Sequence, residues 1–375
     1  MSETKLQVNT NALVFNAKSI KRSLPSGVRA CFVIKSDSYN HGLVEVARAI
    51  EADADYFGIL DVKEGITLRK AGVTKPLLIL SSFSKARLKD LKKHNLSQSV
   101  FSVEILKIID EFSRRKKKDI GLHLKIDTGF NRLGIKQLAE LEECLKIFKA
   151  NKRLKFLGVY SHFSDADNKM SDFGGALVKQ YNDFITFKNT IDFYGFENLI
   201  YHISNSAATE RSIASPLFNL TFDMVRVGIL LYGYKRFDES DILVLPALKL
   251  TAPVLEVKDV AAGECIGYNL AYQAKNDMRI AILDIGYANG YPRSASNVGY
   301  VLINDKRANI VGNISMSLMA VDITDIECKP LVDSAVLLGR DAESEITISD
   351  IAQWSGRLDY EILTTIGKGV KRVYV

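Results

Sequence analysis

The chain has 375 residues, enough for two domains of about 150 residues each or for one large barrel with a further domain. Hydrophobic residues make up 47% and charged residues 25%, which excludes a largely disordered chain, and a net charge of +6 over so many residues marks no nucleic-acid partner. Lys249 and Glu256 interrupt even the apolar region after Leu243, short of the roughly 18 to 20 apolar residues of a membrane span. The start, Met1 to Thr10, has no apolar core or small-residue cleavage site of a secretory signal. Cys31, Cys144, Cys265 and Cys328 are widely spaced with no CxxC pair, so buried free thiols in a reducing cytoplasm are expected, with no membrane partner.

Eight short runs rich in β-branched and apolar residues predict buried strands at residues 30–34, 56–60, 77–80, 98–101, 121–126, 156–160, 199–203 and 224–227. Amphipathic stretches lie between them. His41 to Ala54 puts Leu43, Val46, Ala47 and Ile50 on one face, and Gln137 to Ala150 does the same with Leu138, Leu141, Leu145 and Phe148. Arg114 to Lys118 closes a predicted helix from Val103, where cations complement the helix dipole. Eight such units suggest a closed (β/α)8 barrel of the TIM type, though an open doubly wound sheet alternates in the same way. After about Lys235 strand-like runs joined by turn dipeptides take over, as in Val301 to Ile303, Asn304-Asp305 and Ala308 to Val311. Helical patterning returns in Ser349 to Trp354 and Tyr360 to Ile366. The expected division is a barrel over 12–237 and a mostly β C-terminal domain over 238–375, onto which 1–11 could pair.

Catalytic groups of such barrels sit at the carboxyl ends of the strands. Lys35 follows the first run, Asp127 and Arg132 the fifth, His162 the sixth, and Ser204 and Ser206 the seventh, with Arg226 in the eighth. A lysine partly desolvated at a barrel mouth has its pKa lowered and becomes a nucleophile or base. On spacing alone a plain surface lysine at a strand end is the commoner case. No P-loop, GxSxG elbow or zinc-hydrolase HxH is present.

The segment Cys31-Phe-Val-Ile-Lys35-Ser-Asp-Ser-Tyr39-Asn-His41-Gly42 resembles the pyridoxal phosphate attachment motif of the alanine racemase family, with Lys35 at the attachment position. The resemblance continues in order along the chain. It runs through His123-Leu-Lys125-Ile-Asp127-Thr-Gly129-Phe-Asn-Arg132-Leu-Gly134, Gly158 to Asp167, His202-Ile-Ser-Asn205-Ser206 and Val225-Arg226-Val-Gly228-Ile229-Leu-Leu-Tyr232-Gly233. In the second domain it includes Ile266-Gly-Tyr268, Gly286-Tyr287-Ala-Asn289-Gly290-Tyr-Pro292-Arg293 and Val311-Gly312-Asn313-Ile-Ser-Met316.

The resemblance implies a pyridoxal-phosphate-dependent isomerase that interconverts L- and D-alanine with two bases, Lys35 and Tyr268, on opposite faces of the substrate. Tyr268, whose phenol has an ordinary pKa near 10, needs the support of His162 with Arg226 behind it. The implied cofactor contacts are Lys35, Tyr39, His202, Asn205, Ser206, Arg226, Gly228, Ile229 and Tyr360. The substrate contacts are Arg132, Met316, Tyr268 and Tyr287. Lys125 matches a lysine that is carbamylated in much of the family. The resemblance also implies a homodimer whose tyrosine base comes from the partner, a small amino-acid substrate, no metal, no nucleic acid, and a product that feeds cell-wall synthesis. Asn40, Asn289, Asn313 and Ser317 depart from the family pattern, which leaves serine or a broader substrate range open. The rival enzyme is a decarboxylase of similar architecture, and the rival of another class is a pyridoxal phosphate carrier without turnover, which would lack the second domain.

Overall fold

The computed structural model of the chain describes residues 3–168, 175–214 and 220–375. Two compact units divide it, one of residues 12–38 and 42–245, the other of the N-terminal residues to Asn11, residues 39–41 and 246–375. The first strand, β1 (Lys5–Val8), belongs to the second unit.

The first unit is built on β2 (Arg29–Val33), β3 (Tyr56–Ile59), β4 (Leu77–Ile79), β5 (Leu96–Val100), β6 (Ile120–Lys125), β7 (Leu154–Tyr160), β8 (Ile200–His202) and β9 (Met224–Val227). Each pairs in parallel with its neighbour, β2 also pairs with β9, and helices alternate with the strands. Asp223 N donates to Tyr201 O at 3.0 Å and Arg226 N to Ser204 O at 2.9 Å, which joins the two sheet edges. The expected barrel is therefore present, with a doubly wound sheet excluded. Strand β7 starts two residues earlier than the apolar run suggests, because Lys155 pairs through its backbone with Gly121 while its side chain faces solvent.

Phe32, Phe57, Leu122, Leu124 and Val159, which alternate along their strands with the interior residues Cys31, Gly58, His123 and Tyr160, are all fully buried. Removing that area from water is the main stabilising term, at about 25 cal/mol per Å². The helix Leu43–Ile50 buries Leu43, Val46, Ala47 and Ile50, as its spacing predicts. In the helix Leu138–Ala150 the buried face is Leu141, Cys144, Leu145 and Phe148, whereas Leu138 is exposed. That residue is the first after the cap, where Glu140 reaches back to the Gln137 amide and the chain still points away from the core.

The second unit centres on β10 (Leu248–Val260), which pairs antiparallel with β1; β1 in turn pairs in parallel with the C-terminal Lys371–Tyr374 strand. Strands Tyr300–Ile303 and Lys306–Asn309 form a hairpin through Asn304 and Asp305, whose φ values of 52° and 63° are those of the expected two-residue turn. Two helices, Ile348–Ser355 and Asp359–Thr365, close the unit. All four cysteines are unpaired; Cys265, expected inside, is exposed because the two-residue strand Cys265–Ile266 has no layer over that face. No helix among the described residues is long and apolar enough to cross a membrane.

Candidate active site

Lys35 leaves the carboxyl end of β2 and opens a single turn of left-handed helix. From Ser36 to Asn40 every φ lies between 52° and 68°, in residues that all carry a Cβ. Left-handed helix costs roughly 1–2 kcal/mol per L-residue, so the turn persists only because its surroundings fix it. Ser38 N donates to Ile34 O at 2.9 Å, and Gly42 N to Asp37 O at 3.0 Å. The Tyr232 hydroxyl donates to Val33 O at 3.2 Å and accepts from Ser38 Oγ at 2.9 Å. The Glu64 carboxylate accepts from the amides of Ser36 and Asp37. Gly42, with φ 94°, then caps the helix that follows.

Lys35 shares the barrel mouth with three more cations. Burial lowers its pKa, Arg132 and Arg226 lower it further, and Glu64 opposes them. Lys125, at the end of β6, is buried and pushed down to about 8 by burial, then by Arg132, Arg226 and Lys35. Asp127, which acts on Lys125 in the opposite sense, is committed locally: its Oδ1 accepts from the amides of Gly129 and Asn131, each at 3.0 Å. This Asx-type turn shapes the loop that carries Arg132. The loop returns through Asp127 N to Ile135 O and Ile135 N to Lys125 O, both 2.9 Å. Gly134, at φ 140°, makes the return possible, since a Cβ there would lie 2.6 Å from Asp127 N. Arg132 lies over the Phe130 ring at 4.1 Å, and Phe130 packs against His162.

Arg226, on β9, is buried, and no carboxylate pairs with it among the described residues. Its Nη1 donates to His202 Nδ1 at 2.8 Å and His202 O at 3.1 Å; Nη2 donates to Ser161 O at 2.6 Å, Ile203 O at 3.1 Å and His162 Nδ1 at 3.2 Å. The guanidinium lies over Tyr160, whose hydroxyl donates at 2.8 Å to Leu80 O. A guanidinium only donates, so both imidazole nitrogens facing it accept, and both rings are neutral with the proton on Nε2. Burial followed by Arg226 pushes both imidazoles well below their ordinary range. His202 Nε2 in turn donates to His123 Nδ1 at 3.1 Å. Both nitrogens of His202 are thereby used within the protein. His123, to which the sequence reading gave no role, fits because a Cβ on Gly158 would lie 2.6 Å from its Nδ1.

Two helical N-termini supply amides nearby. Asn205 caps the helix Ser206–Ala214, its Oδ1 accepting from Ala208 N at 3.0 Å. Ser206 Oγ accepts from Gly228 N at 3.0 Å, at the start of the turn Ile229–Tyr232, leaving its hydroxyl hydrogen to donate.

In the second unit Tyr39 and Tyr360 are neighbours, and burial followed by Tyr360 raises the Tyr39 phenol. Asn40, where the family favours glycine, tolerates its φ of 68°. It donates from Nδ2 to Ile366 O at 2.7 Å and accepts from Arg372 at 2.7 Å. Tyr268 is 69% exposed on the turn Tyr268–Leu270, and Asn313 Nδ2 donates to its carbonyl at 2.9 Å. Tyr287 and Met316 are exposed too, and Tyr287 N donates to Ser315 O at 3.0 Å. Asn289 Oδ1 accepts from Gly286 N at 3.2 Å, so it and Asn313 serve their own turns; nothing in the structure explains Ser317. The residues missed by sequence reasoning are His123, Tyr160 and Glu64; only Glu64 left a signal, the capping pattern Asp61-Val-Lys-Glu64. Among the described residues no group of three His, Cys, Asp or Glu could hold a metal ion.

Comparison with known proteins agrees along the whole chain. Residues 8–236 match the family model described as "Alanine racemase, N-terminal domain", and residues 247–374 match "Alanine racemase, C-terminal domain". An alanine racemase of Carboxydothermus hydrogenoformans is 38% identical over 98% of each chain. "Alanine racemase 2" of Bacillus subtilis is 34% identical over 100% of this chain and 95% of its own. A solved alanine racemase from Clostridium difficile 630 superposes with a TM-score of 0.90 at 32% identity, covering 100% of this chain and 96% of that one.

Proposed function

The chain belongs to the alanine racemase family, and from that premise we propose that it is a pyridoxal-phosphate-dependent racemase interconverting L- and D-alanine. The observation that carries the reading is the half-buried Lys35 amine set among Arg132 and Arg226, with Arg226 facing no carboxylate. An anionic cofactor whose ring nitrogen is to be met by a donor fits that set of groups. Ser206 Oγ and the Ile229 amide would supply donors for its phosphate, the Gly228 amide being taken by Ser206 Oγ. Pyridoxal phosphate, when bound, spreads into its ring the charge left when an amino acid loses its α-proton.

The protein residues determine where that proton goes. Lys35, whose pKa is lowered by burial and by the neighbouring arginines, takes or returns the proton on one face of the substrate. Tyr268 serves the other face, contributed by a second copy of the chain, and its exposure in a single copy supports that assignment. His162 offers Nε2–H toward whatever stands beside it, since Arg226 occupies its Nδ1. Arg226 can only donate, so a nitrogen opposite it stays unprotonated and the electron sink is moderate, which favours return of the proton over side reactions. Arg132 and the backbone amide of Met316 take the substrate carboxylate, Tyr287 narrows the approach, and His202 and Asn205 hold Arg226 and the Ser206 helix in place. A homodimer, a cytoplasmic location supported by the four unpaired cysteines, and supply of D-alanine to cell-wall synthesis complete the reading.

Initial rates with L-alanine, L-serine, L-lysine and L-arginine test it. Fastest turnover of alanine is expected; cofactor binding with no turnover of any of them would favour a carrier.

A further inference from the structure

Glu64 lies on the helix Val62–Lys70, one strand away from Lys35, and the proposed mechanism does not use it. Its two oxygens are divided. Oε2 accepts from Leu60 N at 2.7 Å, at the end of β3, and Oε1 accepts from Ser36 N at 2.8 Å and Asp37 N at 3.4 Å, in the left-handed turn after Lys35. The helix in turn is fixed by Asp61, whose Oδ1 accepts from Glu64 N at 2.9 Å. One carboxylate therefore ties the carboxyl end of β3 to the first two amides of the turn whose conformation costs most.

We propose that Glu64 is a positioning residue for Lys35. By capping the amides of Ser36 and Asp37 it holds the left-handed turn in register, and with it the backbone from which the Lys35 amine enters the barrel mouth. Hydrogen bonds to a charged acceptor are the stronger kind, which suits a carboxylate offsetting backbone strain. Its negative charge also bears on Lys35, favouring the ammonium form. The charged groups around Lys35 are Arg132, Arg226 and Lys125, which disfavour the ammonium form, and Glu64 is the carboxylate set against them. The proposal rests on reading Lys35 as the lysine that serves the cofactor, and its test separates the two ideas.

The barrel holds its own control. Glu51 Oε1 accepts from Thr74 N at 2.6 Å, Thr74 Oγ1 at 2.8 Å and Lys75 N at 3.2 Å, so it caps a loop remote from Lys35 with a similar number of bonds. In Glu64→Gln one oxygen remains to accept, and an amide N–H group replaces the other. Glu64→Gln and Glu51→Gln are compared with the parent in three measurements. Amide exchange of the Ser36–Asp37 segment in the cofactor-free protein is expected to quicken about ten- to a hundredfold in Glu64→Gln alone. The apparent pKa of Lys35, followed by the pH dependence of its acylation in the same protein, is expected to fall in Glu64→Gln and not in Glu51→Gln. In the pyridoxal-phosphate-loaded protein kcat is expected to drop by a similar factor while KM for alanine stays within about twofold.

Equal exchange in the two variants, or faster exchange with Lys35 acylation and kcat unmoved, overturns the proposal. If the parent fails to racemise any amino acid the functional reading falls, while the exchange and acylation results still decide for or against Glu64.

Discussion

Arg226 Nη1 donates to His202 Nδ1 at 2.8 Å, and that direction sets the protons of a buried chain that ends at His123. Because arginine has no acceptor, His202 carries its proton on Nε2 and passes it as a hydrogen bond to His123 Nδ1, which leaves the His123 proton on Nε2. Burial and then Arg226 push His123 down to about 3, so the chain stays neutral across the working range. Nitrogen-15 spectra of the imidazoles should show both rings as Nε2–H from pH 5 to 9. Arg226→Lys, which loses the planar fork, should mix the tautomers and cost about 2–3 kcal/mol through unsatisfied carbonyls at Ser161 and Ile203. An imidazolium signal at neutral pH would refute this account of the chain.

Lys125 should be carbamylated. With its amine pushed down to about 8, a substantial neutral fraction reacts with carbon dioxide near neutral pH, and the new anion faces Arg132 and Arg226 in place of a third cation. Carbon-13 bicarbonate should give one carbamate signal that grows as pH rises from 6 to 9 and is absent in Lys125→Ala. The sign follows from the nucleophile, which is the unprotonated amine.

Glu210 makes stability depend on pH. Its buried carboxyl is raised to about 7, burial outweighing the amides of Arg236 and Phe237 that it accepts. With the folded pKa above the unfolded one, the folded state holds a proton the unfolded state has lost. Stability is then present below about pH 4.5 and falls as pH rises through 7, by something on the order of 1–3 kcal/mol. Denaturation of Glu210→Gln against the parent at pH 5 and pH 8 should show the gap shifting toward the variant at the higher pH.

Shared sites predict complementation. Lys35→Ala and Tyr268→Phe should each be nearly inactive, the tyrosine variant down by about a hundred- to ten-thousandfold. Mixed dimers should regain activity, because one site of each then combines the intact lysine of one copy with the intact tyrosine of the other. Mixtures no more active than their parts would place both bases in one chain.

The barrel was legible because each strand is a buried parallel one, written as an unbroken apolar run such as Cys31 to Ile34 or Leu77 to Ile79, and the helices between them keep a 3.6-residue stripe. The positions of Lys35, Arg132, His162 and Arg226 at strand ends could be read in the same way. What could not be read was conformation set by distant partners. Nothing in Ser36-Asp-Ser-Tyr39-Asn40 announces a left-handed turn, because the turn is held by Glu64 and Tyr232 from other strands' ends. The roles of His123 and His202 likewise depend on which nitrogen meets which across three strands, and Asn40 on a carbonyl 326 positions away. Leu138 and Cys265 misled because residue type says apolar while the end of an element decides exposure.

The two-base claim is tested most directly by following the α-proton of L-alanine in heavy water with the pyridoxal-phosphate-loaded protein. L-alanine is expected to become a mixture of both enantiomers with deuterium at the α-carbon. Tyr268→Phe should block exchange starting from L-alanine, and Lys35→Ala should abolish exchange from D-alanine. Exchange from both enantiomers at parental rates in Tyr268→Phe would contradict the two-base claim.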